Sequence, residues 1–193
     1  GSFLIRQYME MYGPGLSGVI VMGTGAQPGA ALFFGKLLCK VIAAFKGDDY
    51  RSTFVDNMAF GGYNKRFEPA RTDKDWLTRD EKEVDAYLAN PWCTFRFTVN
   101  AYYHMFCGIE YAQKKENIEK IPKDLPLYLV AGSDDPVGNF GKGVENVAKT
   151  YRECGIKDVS LKLYEKDRHE ILNELDRQVV YEDILAWVEA HLL

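Results

Sequence analysis

The sequence predicts an α/β protein: about three parallel strands with flanking helices, plus a large helical insertion between the first two strands. Three observations carry this prediction. Short apolar runs rich in β-branched residues stand at Gly18–Met22, Leu127–Ala131 and Val159–Tyr164. Stretches at helical spacing follow the second and third runs, which is the strand–helix rhythm of a parallel sheet. Between about Thr24 and about Ile121, in contrast, no convincing strand ladder can be read. A compact α/β fold joins neighbouring strands with far less chain than that.

The elements follow in order. Phe3–Tyr12 is spaced as a helix; Gly13 is placed to end it, and Pro14 cannot continue it. Gly18-Val19-Ile20-Val21-Met22 has no polar face and is expected to be buried on both sides. Ala30–Phe45 is an apolar helix, interrupted by Lys36 and Lys40. Thr78-Arg79-Asp80-Glu81 has the form of a capping box, with Thr78 as N-cap of a helix carrying Val84 and Leu88 on one face. The aromatic-rich stretch Phe95–Gln113 is a further helix. Pro122 and Pro126 lead into the strand Leu127–Ala131. Val144, Val147, Ala148 and Tyr151 recur at helical spacing, with Gly155 as the stop. Val159–Tyr164 alternates Val159, Leu161 and Leu163 against Ser160, Lys162 and Tyr164, as a strand near a sheet edge does. Val180, Ile184, Trp187, Val188 and His191 mark a C-terminal helix. The chain thus divides into a partial α/β core, residues 1–23 and 122–193, and a helical insertion, residues 24–121. The insertion reads as a cap over a substrate pocket or as a separate small helical domain.

The 193 residues suit one domain of ordinary size, and 47% hydrophobic residues supply a sizeable core. A net charge of −4 gives no electrostatic reason to expect nucleic acid or an anionic membrane as partner. Cys39, Cys93, Cys107 and Cys154 form no Cys-x-x-Cys pair, which argues against a zinc ribbon or a redox motif. Scattered thiols of this kind suit a reducing cytoplasm. The apolar Ala30–Phe45 stretch is too short and too charged to span a bilayer. The reading calls for no cofactor and no metal ion.

Two segments carry chemistry. Gly132-Ser133-Asp134-Asp135-Pro136-Val137-Gly138 follows the second strand directly, where parallel sheets present their functional groups. A carboxylate there can orient an imidazole, although Gly, Ser, Asp and Pro also make ordinary turns. Tyr164-Glu165-Lys166-Asp167-Arg168-His169-Glu170 follows the third strand, and its histidine is placed as a general base. A lone loop histidine is commonly just solvated. Between Asp135 and His169, however, there is room for one helix and one strand, the βαβ step that brings adjacent strand ends together.

The succession of strand, Gly-Ser-x-Asp-Pro, helix, strand, loop histidine and final helix resembles the C-terminal part of an α/β-hydrolase. The resemblance is to the monoacylglycerol lipase, lysophospholipase and serine aminopeptidase group, whose helical cap would correspond to Thr24–Ile121. It implies that Asp135 is the acid and His169 the base of a Ser-His-Asp triad. Asp134 is the alternative acid; Asp167 stands too close in sequence to His169. It further implies that Gly1 matches the last glycine of a Gly-His-Ser-x-Gly elbow, that the nucleophile lies before Gly1, and that the chain alone is inactive. The substrate expected is a small lipid-like ester, a lysophospholipid or a monoacylglycerol. An aminopeptidase-type amide is the alternative within the group. A non-catalytic association module, self-associating through the open edge at Gly18–Met22, is the alternative outside it.

Two weaker signals complete the reading. Gly23-Thr24-Gly25-Ala26-Gln27-Pro28-Gly29 follows a strand and hints at a dinucleotide loop, but it lacks the third glycine in register. His104, beside Tyr102, Tyr103 and Phe106, is expected to be packed within the cap rather than to act as a ligand.

Overall fold

The computed structural model describes residues 1–192. Its elements are α1 (Ser2–Tyr12), β1 (Val19–Met22), α2 (Gly29–Lys46), α3 (Thr53–Phe60), α4 (Glu81–Ala89), α5 (Val99–Gln113), α6 (Lys115–Ile118), β2 (Leu127–Gly132), α7 (Lys142–Glu153), β3 (Val159–Tyr164) and α8 (Arg177–Leu192). Short 3₁₀ turns stand at Tyr63–Phe67 and Ile171–Asn173. The strands form one parallel sheet in the order β1-β2-β3, with Val19 opposite Leu127 and Leu127 opposite Val159.

Strand alternation sorts the core into two layers. Val19, Val21, Leu127, Leu129 and Ala131 face one side, where they meet Met9 of α1 and Val144, Val147, Ala148 and Tyr151 of α7. Ile20, Met22, Tyr128, Val130 and Tyr164 face the other, where Val180, Ile184 and Trp187 of α8 pack. The β2 strand is buried along its whole length, as a central parallel strand must be. On β1 only Val19 and Val21 are buried; Ile20 and Met22 are half-covered. The expectation of burial on both faces of β1 therefore fails on the α8 side. The alternating β3 is the outer strand at the opposite edge, as its pattern predicts.

The chain from α2 to α6 is helical, with a core of its own. Leu32 and Cys39 of α2 pack on Val99, Tyr102, Phe106 and Ile109 of α5, and Val55 of α3 closes the cluster. Gly35 is what lets the two helices approach: a Cβ there would lie 2.9 Å from the Phe106 ring. The opposite face of α2 leaves Phe33, Phe34, Leu37, Val41 and Phe45 exposed. Helix α5 begins at Val99 rather than at Phe95, because the Thr98 hydroxyl caps it by accepting from the Ala101 N–H at 3.1 Å. The α4 cap also differs from the sequence reading. Asp80, not Thr78, accepts from the Lys82 N–H at 3.0 Å, while the Thr78 hydroxyl donates to the Asn173 carbonyl at 3.0 Å. His104, expected to be packed, is exposed on α5, with its ring edge-on to Tyr103 at 5.2 Å. Among the described residues no helix is long and apolar enough to cross a membrane.

Arg6 ties the layers together. Its guanidinium donates to Gly25 O at 2.8 Å, to Thr24 Oγ1 at 3.3 Å and to Ala112 O at 2.9 Å. Gln113 bonds the Gln27 backbone twice, at 2.6 and 3.0 Å. The glycine-bearing loop after β1 is thus held by protein groups, and Gly25 serves close packing: a Cβ would sit 2.3 Å from the Val137 carbonyl.

Glu10, one turn along from Arg6, is buried with neither carboxylate oxygen hydrogen-bonded among the described residues. Burial pushes its carboxyl up to about 7, against the opposing pull of Arg6 and Lys120. The folded state keeps this proton after the unfolded chain has lost it. This group's contribution to stability therefore falls as pH rises from the usual 4.5 to about 7. Glu10→Gln should match the parent in urea denaturation at about pH 4 and exceed it by about 1–2 kcal/mol at about pH 8. An unchanged pH dependence between the two proteins would contradict the assignment.

Candidate active site

The parallel register sets Gly132 opposite Tyr164, so β2 and β3 end level with one another. Beyond those ends the two loops are laced together. Ser133 N–H donates to Tyr164 O at 2.8 Å, Asp134 N–H to Asp167 O at 2.9 Å, and Lys166 N–H to Ser133 Oγ at 2.8 Å. Gly132 makes the approach possible, since a Cβ there would fall 2.0 Å from the Asp167 carbonyl oxygen.

Within this frame Asp135 Oδ2 lies 3.0 Å from His169 Nδ1. Asp135 is fully buried, and its Oδ1 accepts from the Val137 N–H at 2.8 Å. An ionised carboxylate only accepts, so Nδ1 is the donor in this contact, and in the neutral imidazole the lone pair then lies on Nε2. Nε2 has no hydrogen-bond partner among the described residues. His169 lines a cavity of about 530 Å³ shared with Gly1, Ser2, Met22, Gly23 and Leu172. Gly23 has φ +60°, and a Cβ there would come within 3.1 Å of the imidazole. The Ser2 hydroxyl, at the rim of the same cavity, donates to the Gly23 carbonyl at 3.2 Å.

Asp134 makes only a backbone bond in this loop and does not reach the imidazole. The Asp167 carboxylate turns away to Arg79. Of the three aspartates considered from sequence, the structure therefore brings only Asp135 to His169.

A family model described as Serine aminopeptidase, S33 (Hydrolase_4) matches residues 1–176. The chain belongs to the serine aminopeptidase S33 family. Solved structures agree on the α/β-hydrolase fold. A thermostable carboxyl esterase from Bacillus coagulans, in complex with glycerol, is 28% identical with a TM-score of 0.91, covering 100% of this chain and 63% of that one. A monoglyceride lipase from Saccharomyces cerevisiae, bound to a substrate analog, is 20% identical with a TM-score of 0.71, covering 99% and 62%, and supports the fold alone. A monoacylglycerol lipase from Mycolicibacterium smegmatis is 28% identical over 123 residues, 62% of this chain and 40% of that protein. This S33 chain thus spans less than two thirds of each of these relatives.

The candidate site in this S33 chain also contains residues that sequence reasoning missed. Trp76 of the insertion sits 5.3 Å from the imidazole, ring centre to ring centre, and Tyr63 packs edge-on to Trp76 at 4.9 Å. Burial, and then the Asp135 charge, pushes the Tyr63 phenol up. Asp167, Glu174 and Asp176 bring their carboxylate oxygens within 4.8 Å of one another, and Arg79 is bonded to all three. No local motif marks these contacts; only the hydrophobic Trp76-Leu77 followed by Arg79 in a polar stretch could have drawn notice.

Gly132→Ala should destabilise the protein by roughly 3 kcal/mol or more, because the new methyl meets backbone that cannot yield. Gly62→Ala, which meets nothing within 4 Å, is the silent control. Urea denaturation placing both variants within about 0.5 kcal/mol of the parent would contradict the close approach.

Proposed function

We propose that the protein is a carboxylic ester hydrolase acting through a Ser-His-Asp triad, with Asp135 as the acid and His169 as the base. The observation that carries this reading is the 3.0 Å contact between Asp135 Oδ2 and His169 Nδ1, with Nε2 unpartnered on a residue that lines a cavity. Asp135 fixes the tautomer and stabilises the imidazolium; Nε2 takes the proton from a serine hydroxyl and returns it to the leaving alcohol. The serine would come from a segment outside residues 1–193, because no hydroxyl among the described residues bonds Nε2 and the relatives are longer.

The substrate we favour is a monoacylglycerol or lysophospholipid, with an aminopeptidase-type amide as the alternative within the family. Similarity at 28% identity to a monoacylglycerol lipase and to a carboxyl esterase supports the ester. A hollow of about 550 Å³ shares Trp76 with the histidine; it has an aromatic wall of Phe60, Trp76, Trp92, Phe95 and Tyr102, against which we place the acyl chain, and a charged side of Asp56, Asp73, Lys74 and Arg96. We place the protein in the cytoplasm, where its four free cysteines would stay reduced.

A second reading, a non-catalytic association module, is favoured by one feature. Among the described residues no strand pairs with the outer edge of β1, and Ile20, Met22, Leu172, Tyr181, Ile184 and Leu185 line an apolar depression of about 510 Å³ beside it. A second copy of the chain would pair along Gly18–Met22. Light scattering should then show mass rising with concentration; a monodisperse monomer would remove this reading.

The 193-residue chain should not turn over a short-chain nitrophenyl ester above background or react with a fluorophosphonate probe. With its upstream coding sequence restored, the protein should label at one serine, and His169→Ala should lower turnover by about 10⁴–10⁶-fold. Hydrolysis by the 193-residue chain, abolished in Ser2→Ala, would overturn the placement of the nucleophile.

A further inference from the structure

Residues 75–79 of the insertion run alongside the histidine loop and bind it rung by rung. The Glu170 N–H donates to Leu77 O at 2.7 Å and the His169 N–H reaches Trp76 O at 3.4 Å. The Arg168 guanidinium donates to the carbonyls of Asp75 and Thr78, and it covers the Phe67 ring at 4.2 Å. These contacts fasten the two residues that flank the imidazole to a segment about ninety positions earlier in the chain.

Arg79 closes this clasp. Its Nε donates to Glu174 Oε2 at 2.9 Å, its backbone N–H lies 3.1 and 3.2 Å from the two Glu174 oxygens, and its Nη2 bonds Asp167 and, at 2.5 Å, Asp176. Asp167 and Glu174 are both fully buried. Glu174 Oε1 also accepts from the Arg168 N–H at 2.8 Å, directly before His169. Asp167 and Glu174 bracket the segment 168–173, so whatever holds these two carboxylates together sets the position of the histidine. Without a cation between them, three carboxylates within 4.8 Å of one another repel. The guanidinium reaches one oxygen of each as a planar, multidentate donor, which a lysine ammonium cannot reproduce, and leaves only Asp167 Oδ2 of the two buried carboxylates without a partner among the described residues.

We propose that Arg79 is a positioning residue for His169: carried by the insertion, it draws Asp167, Glu174 and Asp176 together and so holds the imidazole on Asp135. The proposal rests on the reading of His169 as the base. It also accounts for the acidic cluster without a metal ion, since Arg79 stands where a cation would.

The test is imidazole ¹⁵N and ¹H NMR of the 193-residue chain. The parent should show a downfield His169 Nδ1 proton, protected from exchange and lost in Asp135→Asn. Arg79→Met should speed exchange of that proton at least about tenfold while circular dichroism still reports a folded chain. Arg79→Lys should give an intermediate rate. Lys162→Met removes another ion pair, between β3 and α8, and should leave the resonance untouched. If Arg79→Met does not fold, Arg79→Lys decides alone: faster exchange supports the clasp, and the parent rate overturns it. An unchanged resonance in folded Arg79→Met also overturns it. If the parent lacks the protected proton, it is the base reading that fails, and the two failures are thereby told apart.

Discussion

The parallel pairing of β2 with β3 is the constraint on which the site depends. Because Gly132 stands level with Tyr164, two loops that leave their strands at the same height can exchange backbone hydrogen bonds. A shift of one residue would turn every side chain of β3 to the other face and move the strand tip away from Asp135. The register is in turn fixed by burial, since Leu127, Leu129 and Ala131 have α7 on one side while Tyr128 and Val130 have α8 on the other. The contact between Asp135 and His169 is thus a consequence of how the sheet's two faces are covered.

Charge burial is handled differently in three places. Asp135 is fully buried, but each carboxylate oxygen has a donor. Asp167 and Glu174 are fully buried and share a cation brought in by the insertion. Even so, burial and the neighbouring carboxylates hold Asp167 well above the ordinary carboxylate range. Glu10 has no donor among the described residues and responds by keeping its proton near neutrality. Removing a buried charge from water is tolerated only with such compensation, so the insertion, through Arg79, supplies part of what the histidine loop needs to bury its carboxylates.

Much of this was legible in the sequence, for identifiable reasons. The strands and helices carry their periods in the chain itself, and Asp135 and His169 stand just past strand ends, where position alone suggests a role. The family resemblance then chose Asp135 over Asp134, and it is the Asp135 carboxylate that lies beside His169. What sequence could not supply were contacts between distant segments. Arg79 meets Asp167 across 88 positions and Glu174 across 95, and neither spacing has a local signature. The same cause misled the reading of Thr78, whose hydroxyl is committed to Asn173 and leaves Asp80 to cap α4. His104 sits among aromatic residues in sequence, but on the solvent side of its helix.

A double-mutant cycle between Asp135→Ala and His169→Ala, read by urea denaturation of the 193-residue chain, tests the central contact without requiring turnover. If the strand tips bring these side chains together, the two substitutions should couple by about 1–2 kcal/mol. Effects that add to within about 0.3 kcal/mol would mean that the carboxylate and the imidazole do not meet.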